Sequence, residues 1–141
     1  MEFQRSDAPH DRPATSVDRI MLHVLFALLP AVVAHVWFFG PGILFNTVVA
    51  ILFCTGGEGL MARLRGQDPR DLLGDYTAVV TAVLLAFCLP SLTPWWVTAS
   101  GALFAVIVAK HLYGGVGFNL FNPAMAGYVA ILISFPGEMA F

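Results

Sequence analysis

Three groups of residues in this chain have the types and spacing to do chemistry. The first is Gly114-Gly115-Val116-Gly117-Phe118-Asn119-Leu120-Phe121-Asn122-Pro123-Ala124, where glycines and asparagines run into a helix start. Asn caps a helix by accepting from a free backbone N–H, and Pro suits the first helical position because its missing N–H had no partner there. A helix beginning at Asn122-Pro123 presents free N–H groups and a positive dipole end, which suit a phosphate, a carbonyl or a carboxylate. Asn119 and Asn122 add amide donors and acceptors. Gly114, Gly115 and Gly117 lack the Lys-Ser/Thr sequel and the preceding strand of a phosphate loop. On these features alone the loop is either a plain helix connection or a ligand-lining break.

The second group is Asp75-Tyr76-Thr77 followed by Thr81. Asp75 is placed to cap a helix, and Thr77 and Thr81 share a face of it at i, i+4 spacing. Their hydroxyls either bond a ligand or return to a backbone carbonyl one turn back. The third group is His23 and His35, on roughly one side of an apolar segment, where an ionisable side chain is a functional hypothesis with a structural role as its rival. His111 beside Lys110 reads as interfacial. Cys54 and Cys88 fall inside apolar segments with no Cys-x-x-Cys spacing, so they read as small hydrophobes, and metal binding by this chain alone is not expected.

The elements that position these groups follow from composition. Of 141 residues, 58% are hydrophobic and 11% charged, against about 25% charged in ordinary soluble domains. The net charge of -2, without a basic run, gives no sign of a nucleic-acid partner. Residues 1–19 form a polar tail in which Arg5, Arg12 and Arg19 alternate with acids, unlike a cleaved signal peptide. Ile20 to Gly57 carries no Asp, Glu, Lys or Arg and is long enough for two spans broken at Phe39-Gly40-Pro41-Gly42. A charged segment from Glu58 to Asp75 is expected outside the hydrocarbon. Tyr76 to Ala109 is again uncharged, but Pro90-Ser91-Leu92-Thr93-Pro94 cuts it into pieces short for a span. These are either extended at their ends by Leu72-Leu73 and Trp95-Trp96, strongly tilted, or partial helices that meet inside the protein. A fifth apolar segment runs from Pro123 to Phe135.

The expected fold is therefore an all-α integral membrane protein with about five transmembrane helices, near 20–39, 43–61, 72–89, 95–109 and 123–136. If these alternate, all seven Lys and Arg residues fall on one side, which the positive-inside rule makes the cytoplasm. Small residues recur every fourth position at Ala27 and Ala31, at Ala78, Ala82 and Ala86, at Gly101, Ala105 and Ala109, and at Ala126, Ala130 and Ser134. Such stripes let helices approach closely, so these helices expect protein neighbours.

Ala109-Lys110-His111-Leu112-Tyr113-Gly114-Gly115, Asn119-Leu120-Phe121-Asn122-Pro123-Ala124-Met125, Gly127-Tyr128-Val129 and Leu132-Ile133-Ser134-Phe135-Pro136 closely resemble the RnfD family of the Rnf ion-translocating electron transport complex. The sodium-pumping quinone reductase subunit NqrB is similar more loosely. Arg19-Ile20-Met21, Leu29-Pro30, Trp37-Phe38-Phe39-Gly40, the stretch Asp75 to Thr81 and Pro94-Trp95-Trp96 carry the same resemblance. It implies a multi-pass subunit of a bacterial inner-membrane complex, with other Rnf subunits and membrane lipid as partners. That complex passes electrons between ferredoxin and nicotinamide nucleotide while moving sodium ions or protons. It further implies FMN, together with a second flavin, and a urea-transporter-like fold of two repeats, of which this chain would supply one.

The family's FMN is joined to a threonine in a Ser-Gly-Ala-Thr-type motif in the second half of longer chains. That motif is not in this sequence, and the role does not transfer to Thr77 or Thr81. The chain is accordingly expected to be a fragment or a truncated product, with Asp75, Thr77, Thr81, Gly114, Gly115, Gly117, Asn119 and Asn122 as lining residues only. Phe118 and Leu120 replace a polar residue and a proline usual in the family, and Ala82 replaces a glycine. Rival readings are a small-solute channel, because Asn122-Pro123-Ala124 is also the aquaporin tripeptide although it occurs once here, and a structural membrane subunit without a cofactor. The charge placement is tested by reporter fusions: alkaline phosphatase joined after Pro41 or Leu92 is expected to be active and after Gln67 inactive, and the opposite pattern would reverse the orientation.

Overall fold

The computed structural model describes residues 16–115 and 118–140. The tail arginines Arg5 and Arg12, and Gly117 of the glycine loop, lie outside the described residues. Among the described residues the chain is helical: α1 Val17–Phe39, α2 Gly42–Leu64, α3 Pro69–Leu73, α4 Thr77–Cys88, α5 Trp95–Leu103 continuing as a π-helix Phe104–His111, and α6 Pro123–Ser134. Each start has a local cause. Asp68 accepts from the Arg70 N–H ahead of Pro69, and Asn122 accepts from the Ala124 N–H ahead of Pro123.

The long helices α1 and α2 have mean hydropathies of 2.1 and 1.6 over their most apolar windows. Their 23 residues each span about 35 Å, enough for a hydrocarbon core of about 30 Å. α4 and α6 have 12 residues each, about 18 Å, and reach only partway. The helix expected from residue 72 begins at Thr77 instead. Leu72 and Leu73 belong to α3, and Tyr76, with φ 58°, turns the chain between the two helices. A left-handed tyrosine costs about 1–3 kcal/mol, so its surroundings must hold it there.

α2 lies against α4, α5 and the π-helix, while α6 packs on α4, α5 and the π-helix. Of the small-residue stripes, Ala78, Ala82 and Ala86 and Gly101, Ala105 and Ala109 are buried in this packing, whereas Ala27 and Ala31 of α1 face outward. α1 has no buried residue and touches α4 through the His35 ring, 5.7 Å from that of Phe87. At the end where α1 turns into α2, buried Asn46 donates to the Pro90 carbonyl at 3.0 Å and accepts from Thr98 at 3.3 Å, tying α2 to the turn that enters α5. Close approach is steric as well. A Cβ on Gly127 would stand 2.6 Å from the Gly101 carbonyl oxygen and 3.0 Å from the Ala105 Cβ. Gly127→Ala is therefore expected to destabilise by about 1–3 kcal/mol in an unfolding titration, whereas Gly59→Ala, with nothing within 4 Å, is expected to be neutral or to stabilise.

Candidate functional site

The end of the fold opposite the Asn46 tie gathers the end of α2, the start of α4, the end of the π-helix and the start of α6. Glu58 enters it from α2 and is completely buried. The sequence pattern places Glu58 outside the hydrocarbon and His111 at the interface; the structure buries both, together with Lys110. The reason is pairing. Lys110 Nζ donates to Glu58 Oε1 and, at 2.6 Å, to Thr77 Oγ1. An isolated buried charge costs several kcal/mol, so neither side chain would stay inside without the other.

Thr77 connects this pair to the α3–α4 turn. Its hydroxyl donates to Asp75 Oδ1 at 2.6 Å, and its backbone N–H donates to the same oxygen at 2.8 Å. Asp75 thus caps α4 from two residues upstream, and these bonds hold Tyr76 in its left-handed conformation. Thr81 uses its hydroxyl on the Thr77 carbonyl one turn back, at 2.9 Å. The two threonines therefore differ: Thr81 bonds its own helix, whereas Thr77 accepts from a buried ammonium.

The π-helix sets the aim of Lys110 and His111. Its wider turn, closed by the Leu112 N–H to the Ile107 carbonyl at 3.1 Å, brings both residues onto the buried side. Gly114 and Gly115 then stop it, with φ 107° and 97°, conformations that favour glycine. Their N–H groups donate to the His111 and Lys110 carbonyls at 3.2 and 3.0 Å. Arg65 donates to the His111 carbonyl as well.

Two cavities flank the pair. One of about 260 Å³ is lined by Thr77, Thr81, Lys110, Asn119 and Asn122, so the structure brings together four of the sequence candidates with a lysine that sequence reasoning missed. The other, about 400 Å³, is lined by Asp68, Asp71, Asp75, His111, Gly114 and Gly115. The glycine loop is thus divided: its first glycines belong to the acidic cavity and its asparagines to the cavity of Lys110. A larger cleft at the far end, about 610 Å³, is lined by His35, Cys88, Pro90 and Tyr128. His23 instead turns to the Arg19 carbonyl at 2.6 Å. Among the described residues no three of His, Cys, Asp and Glu are grouped as metal ligands.

The signal for Glu58 was its position at the end of an uncharged run among Gly56, Gly57 and Gly59; for Lys110 it was the small-residue stripe of Gly101, Ala105 and Ala109 leading to it. Removing the hydroxyls separates the two threonines. Thr77→Val is expected to cost about 1–3 kcal/mol, because it strips a partner from buried Lys110. Thr81→Val should stay within about 0.5 kcal/mol, and equal losses at both positions would contradict this division.

Known proteins share this sequence over nearly its whole length. The chain is 48% identical over 139 residues to the RnfD-type component of the ion-translocating oxidoreductase complex of Salmonella paratyphi A (strain ATCC 9150 / SARB42) and to that of Salmonella typhi. It is 47% identical to that of Salmonella newport (strain SL254). The matches take in 99% of this chain and 40% of each relative's length, so the chain spans less than half of the curated relatives it matches. The NQR2, RnfD, RnfE family matches residues 4–141, and the chain belongs to that family.

Proposed function

We propose that this chain works as part of the RnfD component of an Rnf-type complex, a redox-driven ion translocase of the bacterial inner membrane linking ferredoxin and nicotinamide nucleotide. In this reading it is multi-pass, with a cytoplasmic N-terminus, and crosses or enters the membrane near 20–39, 43–61, 72–89, 95–109 and 123–136 as one repeat of a two-repeat, urea-transporter-like fold. Other subunits of the complex and membrane lipid are its partners, and sodium ions or protons are the cargo.

The observation that carries the reading is the cavity in which Lys110, Thr77, Thr81, Asn119 and Asn122 converge. A buried ammonium and two amides match the anionic or carbonyl-bearing part of a flavin such as FMN. Asn122 spends its side-chain oxygen on the Ala124 N–H at 2.9 Å, which leaves its amide N–H groups to face the cavity. Asn119 donates to the Phe121 carbonyl at 2.9 Å and fixes the loop that frames the opening. Covalent attachment is not assigned to these residues: Ser100-Gly101-Ala102 is followed by Leu103, so no acceptor threonine completes that run. A flavin held here would supply one-electron and two-electron transfer, and the protein's part is to set its orientation and the charge around it. Asn122→Ala in the full-length subunit is expected to lower ion-coupled electron transport at least tenfold by loosening the bound group. Unchanged transport with unchanged flavin content would overturn the assignment.

A further inference from the structure

Glu58 is paired through one oxygen. Oε1 accepts from Lys110, whereas Oε2 has no hydrogen-bond partner among the described residues. Both ring nitrogens of His111 are likewise unpartnered, although the residue is 99% buried, and its Nε2 stands 3.6 Å from Glu58 Oε1. Open buried polar atoms cost about 1–3 kcal/mol each, and here they are adjacent, so the pair has room for one more proton. Lys110 and His111 are neighbours in sequence yet line different cavities, Lys110 that of Thr77 and Asn122, His111 that of Asp75.

We propose that Glu58, Lys110 and His111 link these cavities: an oxyanion entering the Thr77–Asn122 cavity takes the charge of Lys110, and Glu58, with His111 as second acceptor, takes up one proton from the Asp75 cavity. An O–H or N–H bond forms on the Glu58–His111 pair, the proton comes from water in the acidic cavity, and no electron moves. The charged and titratable groups facing the pair agree with this direction. From α2 come Cys54, one turn before Glu58, and Arg65, whose guanidinium holds the His111 carbonyl. Asp71 of α3 and Asp75 of the following turn line the side from which the proton arrives, with Asp68 beside them. Lys110 is the cation that must be shared. Thr77 transmits the change, because it holds Lys110 on one side and Asp75 on the other. The inference rests on the reading that the Thr77–Asn122 cavity takes a ligand, but it does not require that ligand to be a flavin.

Sulfate is the probe, because it does not titrate near neutral pH. With this chain in phosphatidylcholine nanodiscs, sulfate affinity is expected to rise about tenfold for each unit by which pH is lowered, as coupling to one proton requires. Uptake of about one proton per sulfate bound, read with a pH dye in weak buffer, gives the same answer without a variant. Glu58→Gln is expected to bind sulfate with no dependence on pH. Lys110→Met, checked for helix content, is expected not to bind it. Displacement of sulfate by riboflavin 5′-phosphate assigns the oxyanion to a soluble cofactor, and displacement by added phosphatidylglycerol assigns it to a lipid headgroup; both support the linkage. Sulfate binding without proton uptake overturns the linkage while leaving the cavity a ligand site. No sulfate binding by the folded wild-type chain overturns the cavity's ligand role as well.

Discussion

A carboxylate with no exposed surface on an apolar helix has to be neutralised from within the protein, and for Glu58 the cation is Lys110, 52 residues further along the chain. This requirement constrains the architecture around it. Lys110 reaches Glu58 because the π-helix carries it to the buried side, and the π-helix ends where it does because Gly114 and Gly115 adopt a backbone that favours glycine. Gly57, one residue before Glu58, lies against Leu103, with 3.4 Å from a Cβ placed there to that side chain, so α2 and α5 can close on the pair. The Asp75–Thr77 hydrogen bonds then attach a third element to the same ammonium.

These contacts explain why a membrane chain keeps four polar groups at one junction. A buried ion pair is seldom a source of net stability, since desolvation offsets the attraction. What it provides here is placement: helix ends from α2, α4 and the π-helix meet at one point, with the start of α6 across a cavity from it. The opposite end is held by a neutral knot of Asn46, Pro90, Thr93 and Thr98, which needs no charge. The two ends thus differ in chemistry: one fixes a turn, and the other sets a lysine beside a cavity.

Much of this was legible in the sequence, and the exceptions have physical causes. Asn122-Pro123 starts a helix as its cap chemistry requires, and Asp75 holds the start of α4 through its carboxylate. Thr77, Thr81, Asn119 and Asn122 share one cavity because they sit at helix ends that the topology brings together. Glu58 was misread because it precedes Arg63, Arg65 and Asp68, and local charge density says nothing of a partner 52 residues away. The π-helix has no composition of its own, since Phe104–His111 would serve equally as an α-helix, so the burial of His111 could not be read locally. Leu72-Leu73 looked like the start of a span because hydropathy does not register the left-handed turn at Tyr76.

The central claim is that Glu58 and Lys110 form a mutually dependent buried pair. A double-mutant cycle of Glu58→Gln and Lys110→Met, read as unfolding free energy in mixed micelles, tests it most directly. Each single change should cost about 3–5 kcal/mol by stranding its partner, and the double change should cost less than either, giving a coupling of about 2 kcal/mol or more. Additive losses, with coupling near zero, would contradict the account.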